Sequence, residues 1–225
     1  MPRHPVLPLL AAGLLAAAAS SQQDVLRQRL DPATYAALQP ILEQASRDSL
    51  PLKAIEAKAL EGQAKRRPGA LIVAAVRQLA ADLRAARLAL REALPQRAIS
   101  DGEIVAAAEA VRQGVPGEVI TTVAREAQPG APLEIPLALL GALVSRQVPV
   151  QEAANVIAHM LASGIPQERM VEIPQRVDVA LRVGAPPVAA LGTALQSLGI
   201  PVPPAPPARG RPPGIRPPVP DVPDR

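Results

Sequence analysis

Cysteine, tryptophan and phenylalanine are missing from this 225-residue sequence, and Tyr35 is its one aromatic residue. Without cysteine there is no disulfide framework, no thiolate nucleophile, no thiolate zinc site and no lipidated N-terminal cysteine. Without rings there is no platform for stacking sugars or bases and no aromatic cage for a cation. Histidine occurs only at His4 and His159, and lysine only at Lys53, Lys58 and Lys65. One histidine in the body of the chain, no G-x-S-x-G turn and no metal-ligand spacing leave no local catalytic constellation. No catalytic residue, cofactor or metal is therefore expected. Alternating runs of β-branched and aromatic residues are absent too, which removes the strand signal.

What remains is Ala, Leu, Val and Ile, with 28 prolines and a formal charge of +4 carried mostly by arginine. A core of small aliphatic side chains gains little per residue, about 25 cal/mol per Å² buried, so many close helix contacts have to supply the stability. The charge is nearly balanced through the body. Residues 20–200 hold 19 Lys and Arg against 18 Asp and Glu, and residues 201–225 hold four arginines against two aspartates. That is not the electrostatic footprint of a nucleic-acid binder, and no nucleic-acid partner is expected.

The two ends differ from the middle. Arg3 precedes an uncharged apolar run, Val6 to Ala19, which closes on Ala17-Ala18-Ala19. This three-part pattern predicts a secretory signal over residues 1–21, cleaved between Ala19 and Gln22. A bilayer-spanning helix needs about 20 apolar residues, so a retained membrane tether is the alternative. No later stretch is long and apolar enough to span. Residues 201–225 contain eleven prolines and are expected to form an extended, disordered tail. Its Pro203–Pro207 and Arg211-Pro212-Pro213 stretches resemble ligands of aromatic grooves, with Arg209, Arg211 and Arg216 as interaction residues.

Between the ends, residues 22–200 repeat a short pattern of a small or polar residue, an apolar residue and proline. It occurs at Ser49-Leu50-Pro51, Gly114-Val115-Pro116, Gln147-Val148-Pro149, Gly164-Ile165-Pro166, Gly184-Ala185-Pro186 and Gly199-Ile200-Pro201. Glycine suits the left-handed position past a helix end, and proline suits the first turn of the next helix. The pattern predicts an all-α domain of about nine short helices in irregular hairpins, solenoid-like or bundled. They fall near 32–47, 51–64, 69–93, 101–113, 116–127, 133–146, 149–163, 166–183 and 186–198. Ser100-Asp101-Gly102-Glu103 reads as a capping box. The stretch 133–146 is apolar almost all round, so it belongs at the hydrophobic centre.

Lys58 and Lys65 sit in "KALEGQAKRRPGALIVAAVRQLA", residues 58–80, and Lys53 stands five residues ahead of it. A phosphate loop would need a preceding strand and the G-K-[ST] order, and neither is present. Helical neighbours of opposite charge, Lys53 with Glu56, Lys58 with Glu61 and Glu61 with Lys65, make this the joint between two helices. Lys65, Arg66 and Arg67 exceed what a helix C-terminus requires, so the corner is also a candidate anion site. In the next helix Ile72, Val76, Leu79, Leu83, Ala86 and Leu90 form a packing seam. Arg77, Arg84 and Arg91 recur every seven residues beside it, a stripe able to meet an acidic partner or lipid headgroups. His159 shares a polar helix face with Glu152 and Asn155. The expected function is an exported, non-catalytic scaffold or binding module of the bacterial envelope or extracellular space. It would act on an unidentified protein or envelope component through a helical surface or the tail. The alternatives are a hydrolytic or lyase-type enzyme with a carboxylate site between helix pairs, and a membrane-tethered structural protein.

Overall fold

Ten α-helices succeed one another in residues 24–202, the part of the chain that the computed structural model describes, and no strand occurs among the described residues. They are α1 (Pro32–Arg47), α2 (Leu52–Ala64), α3 (Gly69–Ala93), α4 (Asp101–Arg112), α5 (Gly117–Arg125), α6 (Glu134–Ser145), α7 (Val150–Ala162), α8 (Gln167–Met170), α9 (Ile173–Arg182) and α10 (Pro187–Ser197). A short helical turn over 24–29 precedes them. The expected signal segment, and the tail residues Arg209, Arg211 and Arg216, lie outside the described residues. The one helix expected over 166–183 is two, α8 and α9. Pro174 has no N–H to offer the carbonyl of Met170, so the ladder is interrupted there and restarts at Ile173.

Seven helix ends use one turn. A residue at positive φ is followed by a backbone N–H that reaches back to the carbonyl five residues earlier. The bonds are Leu50 to Ala45, Arg67 to Gly62, Val115 to Ala110, Val148 to Leu143, Ile165 to Met160, Ala185 to Ala180 and Ile200 to Leu195, all between 2.9 and 3.1 Å. This is the Schellman closure, which satisfies carbonyls that the helix leaves open. Glycine takes the positive-φ position at Gly114, Gly164, Gly184 and Gly199, but Ser49, Arg66 and Gln147 adopt it at φ 49°, 52° and 64°. For those side chains the left-handed region costs about 1 kcal/mol, which the closure has to offset. The prolines then stand at the N-cap, one residue ahead of the first-turn position expected from sequence. Pro51, Pro68, Pro116, Pro149, Pro166 and Pro186 all hold φ between −53° and −64° and make no side-chain cap.

The helices pack mainly on near neighbours in the chain. α1 and α2 lie on α3, α3 meets α4 and α5, and α5 meets α7. The closest association is α4 with α6, and α6 also touches α7, α8 and α9, while α10 lies on α9. This is an open, solenoid-like succession of hairpins. The apolar α6 sits in its interior as expected: Leu137, Leu140 and Leu143 are fully buried. Close approach comes from small residues. A Cβ on Gly141 would lie 3.1 Å from the Cα of Ala110, so α4 and α6 meet nearly backbone to backbone. The seam on α3 is also present, with Ile72, Val76, Leu83, Ala86 and Leu90 buried and Leu79 partly so.

Arginine explains much of the stacking. Arg84 Nε and Nη2 donate to Asp48 Oδ2 at 2.8 and 2.6 Å, joining α3 to the end of α1. Arg146 forms a two-pronged pair with Asp178 at 2.7 and 2.8 Å, joining α6 to α9. Arg87 and Arg169 donate to the carbonyls of Ser49 and Leu198 in two of the recurrent turns. A planar guanidinium fits such forked and carbonyl contacts better than an ammonium, in keeping with the scarcity of lysine.

Candidate functional site

The corner between α2 and α3 departs from its six counterparts. In the other turns the residue after the positive-φ position is apolar: Leu50, Val115, Val148, Ile165, Ala185 or Ile200. It accompanies a buried apolar residue five positions earlier: Ala45, Ala110, Leu143, Met160, Ala180 or Leu195. That hydrophobic contact ordinarily completes a Schellman turn. At the α2–α3 corner Gly62 and the exposed Arg67 occupy the two positions. A Cβ on Gly62 would come within 2.8 Å of Ile72 Cγ1, so nothing larger fits without displacing Ile72. The corner therefore opens into a cleft of about 260 Å³ lined by Lys58, Glu61, Gly62, Lys65, Arg67, Leu71, Ile72 and Ala75.

The electrostatics follow from one carboxylate among several cations. Lys58 Nζ lies 3.0 Å from Glu61 Oε2, and Lys65 bonds the other oxygen of the same carboxylate. The hydrogen bonds from Lys65 and Lys58 push the Glu61 carboxyl down to about 2. Glu61 stays ionised, and the Lys58–Glu61–Lys65 array keeps one net positive charge across ordinary pH. Arg66 and Arg67 add two more cations, both exposed and without a carboxylate partner among the described residues. Of the three sequence-matched helical pairs expected here, Lys53–Glu56 is not made. Lys53 is exposed, whereas Glu56 points inward and is 4% exposed.

The heptad arginines do not act as one stripe. Arg84 is engaged with Asp48, while Arg77 and Arg91 are exposed and unpaired among the described residues. His159, Glu152 and Asn155 are half-buried on α7, and no group of three or more His, Cys, Asp or Glu side chains suited to a metal occurs among the described residues. Arg209, Arg211 and Arg216 cannot be placed, since they lie outside the described residues.

Two acidic residues matter in ways that helix patterning did not reveal. Glu103 closes the expected capping box, accepting from Ser100 N at 2.9 Å while Ser100 Oγ accepts from Glu103 N at 3.2 Å. It also accepts from Leu133 N at 2.9 Å and pairs with Arg97, whose Nη1 reaches Ala131 O at 2.6 Å. The capping box was legible locally. The contact thirty residues along the chain was not, because nothing in the 131–133 loop signals it. Burial works against ionisation of Glu103, yet the bonds from Ser100, Leu133 and Arg97 outweigh it and hold the carboxyl below its usual value.

Glu56 is the opposite case. Its Oε2 is buried without a hydrogen-bond partner, and burial raises the carboxyl above its usual value, with Lys53 opposing weakly. Glu56→Leu is expected to stabilise the protein by about 1–2 kcal/mol at neutral pH, because an unsatisfied buried polar group is removed. As pH rises the unfolded chain ionises Glu56 first, so the penalty grows above the unfolded value and is absent in acid. The advantage of Glu56→Leu should thus shrink as pH falls from neutral toward about 4.3 and stay constant below it. Thermal melts of both proteins across pH check this. A destabilised variant at pH 7 would show that Glu56 has a favourable partner.

Comparison with known proteins finds no matching family model, no matching curated protein and no matching solved structure.

Proposed function

We propose that this chain is an exported, non-catalytic binding module of the bacterial envelope or extracellular space that engages an anionic partner through the corner between α2 and α3. The observation that carries the reading is the replacement of a recurrent apolar contact by Gly62 and Arg67 at this corner alone among seven equivalent turns. A cation past a helix C-terminus gains about 0.3–1 kcal/mol from the dipole, which Lys65 and Arg66 already supply at this corner, and local rules are most often broken where function requires it. Lys58, Lys65 and Arg67 line the opening, and Arg66 stands between two of them in the chain. Asp48, Glu103 and Asp178 each hold an arginine, which withdraws these three carboxylates from any hydrolytic site.

Arg67→Leu tests the reading, because it restores the side-chain type found in the sister turns. The variant is expected to melt at or slightly above the parent temperature. It should also recover less of an acidic envelope partner in affinity capture at low salt, with the difference fading as salt rises. Arg209, Arg211 and Arg216 changed together to Ala provide the comparison. Loss of capture in that variant, with Arg67→Leu behaving as parent, would move recognition to the tail.

A further inference from the structure

The partner class can be narrowed by asking what surrounds the corner. The last turn of α2 has two sides. On one lies the cleft already described. On the other, Leu60, Gln63 and Ala64 form a second cleft with Val25 and Arg29 of the helical turn at 24–29. That turn is fixed in place by Leu26 and Leu30, which are 0% and 5% exposed. Its Arg27 and Arg29 face solvent. One end of the fold thus presents Arg29, Lys65, Arg66 and Arg67 near two exposed apolar side chains, Val25 at 40% and Leu71 at 56% exposure. In the sequence the apolar run Val6–Ala19 stands only a few residues ahead of Asp24, so the chain enters the described residues at this same end.

We propose that this end docks on an anionic lipid surface, with Lys65, Arg66, Arg67 and Arg29 among the headgroups and Leu71 and Val25 at the acyl boundary. The proposal rests on the binding reading above and names the partner it would serve. Cations around apolar side chains are the pattern of interfacial binding, in which hydrophobic insertion and attraction to acidic lipid add together. The Lys and Arg stems are long enough to keep their charges at the headgroups while neighbouring apolar groups sink below them. No helix among the described residues is long and apolar enough to cross a membrane, so the contact is with the surface. Glu61 does not oppose it, because both of its oxygens are taken by Lys58 and Lys65. The opposite end of the fold, at α9 and α10, also exposes valines, Val179, Val183 and Val188, but its Arg176 lies beside Glu172, and Arg146 there is held by Asp178.

The test is co-sedimentation of the mature chain, residues 22–225, with phosphatidylcholine vesicles that do or do not contain phosphatidylglycerol. Partitioning is expected only with the anionic lipid. Lys65, Arg66 and Arg67 changed together to Gln should lower the partition coefficient roughly 100-fold, each cation near the surface being worth about 1 kcal/mol. Leu71→Gln, which leaves the core untouched, should lower it several-fold without altering the charge. Arg125, Arg176 and Arg182 changed to Gln remove the same charge from other helices and should leave partitioning close to parent. Equal losses in that control and in the corner variant would mean attraction by net charge alone and would overturn the proposal. Parent protein that ignores anionic vesicles, while the corner variant still loses an acidic envelope protein in capture, would overturn the lipid proposal and leave the binding module standing. A corner variant that equals parent in both measurements would remove both.

Discussion

Leu140→Asp is expected to unfold the protein at ambient temperature. Leu140 is fully buried in α6, the helix that α4, α7, α8 and α9 all touch. Losing the burial of a leucine costs about 2–5 kcal/mol even when alanine replaces it. An unpaired carboxylate in the same place adds several more, and the sum reaches the 5–15 kcal/mol that holds a domain of this kind together. Far-ultraviolet circular dichroism should show most of the helical signal gone, while Leu140→Ala retains it with a lower midpoint. Lys58→Ala, in an exposed pair, should change stability by no more than about 0.5 kcal/mol. A Leu140→Asp protein that melts with the parent would place the centre of the core elsewhere.

Glu103→Ala comes next in size. Its carboxylate serves Ser100 N, Leu133 N and Arg97 at once, and its side chain is 5% exposed. Removing it strands Arg97 and two backbone donors, and breaking a buried pair of this kind costs about 3–5 kcal/mol. The pH dependence separates charge from shape. A carboxyl held below its unfolded value stabilises the fold above that value, about 4.3, and its contribution is lost as pH falls through the folded value. Glu103→Gln should be well below parent in midpoint at pH 7 and approach it in acid. A gap that stays constant from neutral pH into acid would show that the buried carboxyl is not ionised in the native state. Glu56 runs in the other direction and partly offsets Glu103 in the parent, so a variant carrying both changes should have a pH profile closer to parent than either single variant.

The helices were legible because their boundaries are chemical. Proline at six of the ten N-caps, and glycine at four of the seven positive-φ positions after helices, are written in the sequence, so bounds such as 69–93 agree with the observed helix. The division of 166–183 was missed although Pro174 was in view, because a proline near a helix start and one that interrupts a longer helix look alike locally. α1 carries Pro40 in its interior without ending. At the basic corner the cluster of cations was evident, but its meaning depended on alignment with its sister turns. Arg66-Arg67-Pro68 takes the same backbone path as Gly114-Val115-Pro116, and only the shared hydrogen-bond pattern reveals that an apolar contact has been exchanged for a charged opening. The burial of Glu56 had no signature, since a glutamate one position after Ile55 is equally compatible with the edge of the apolar face and with solvent.

The neighbour-on-neighbour packing of the hairpins also governs how the chain reaches its native state. When most contacts join segments close in sequence, little loop entropy is lost before they form, and folding is fast for the length of chain involved. Each hairpin can begin folding as soon as it is complete, without waiting for a distant segment to close a sheet. Units that touch only their neighbours also open separately. The terminal pair α9–α10 can fray, released chiefly from α6, while α1, α2 and α3 at the lipid-facing end keep their mutual contacts. The two ends of the protein are thereby insulated from one another, and a disturbance at one is felt at the other only through the hairpins between them.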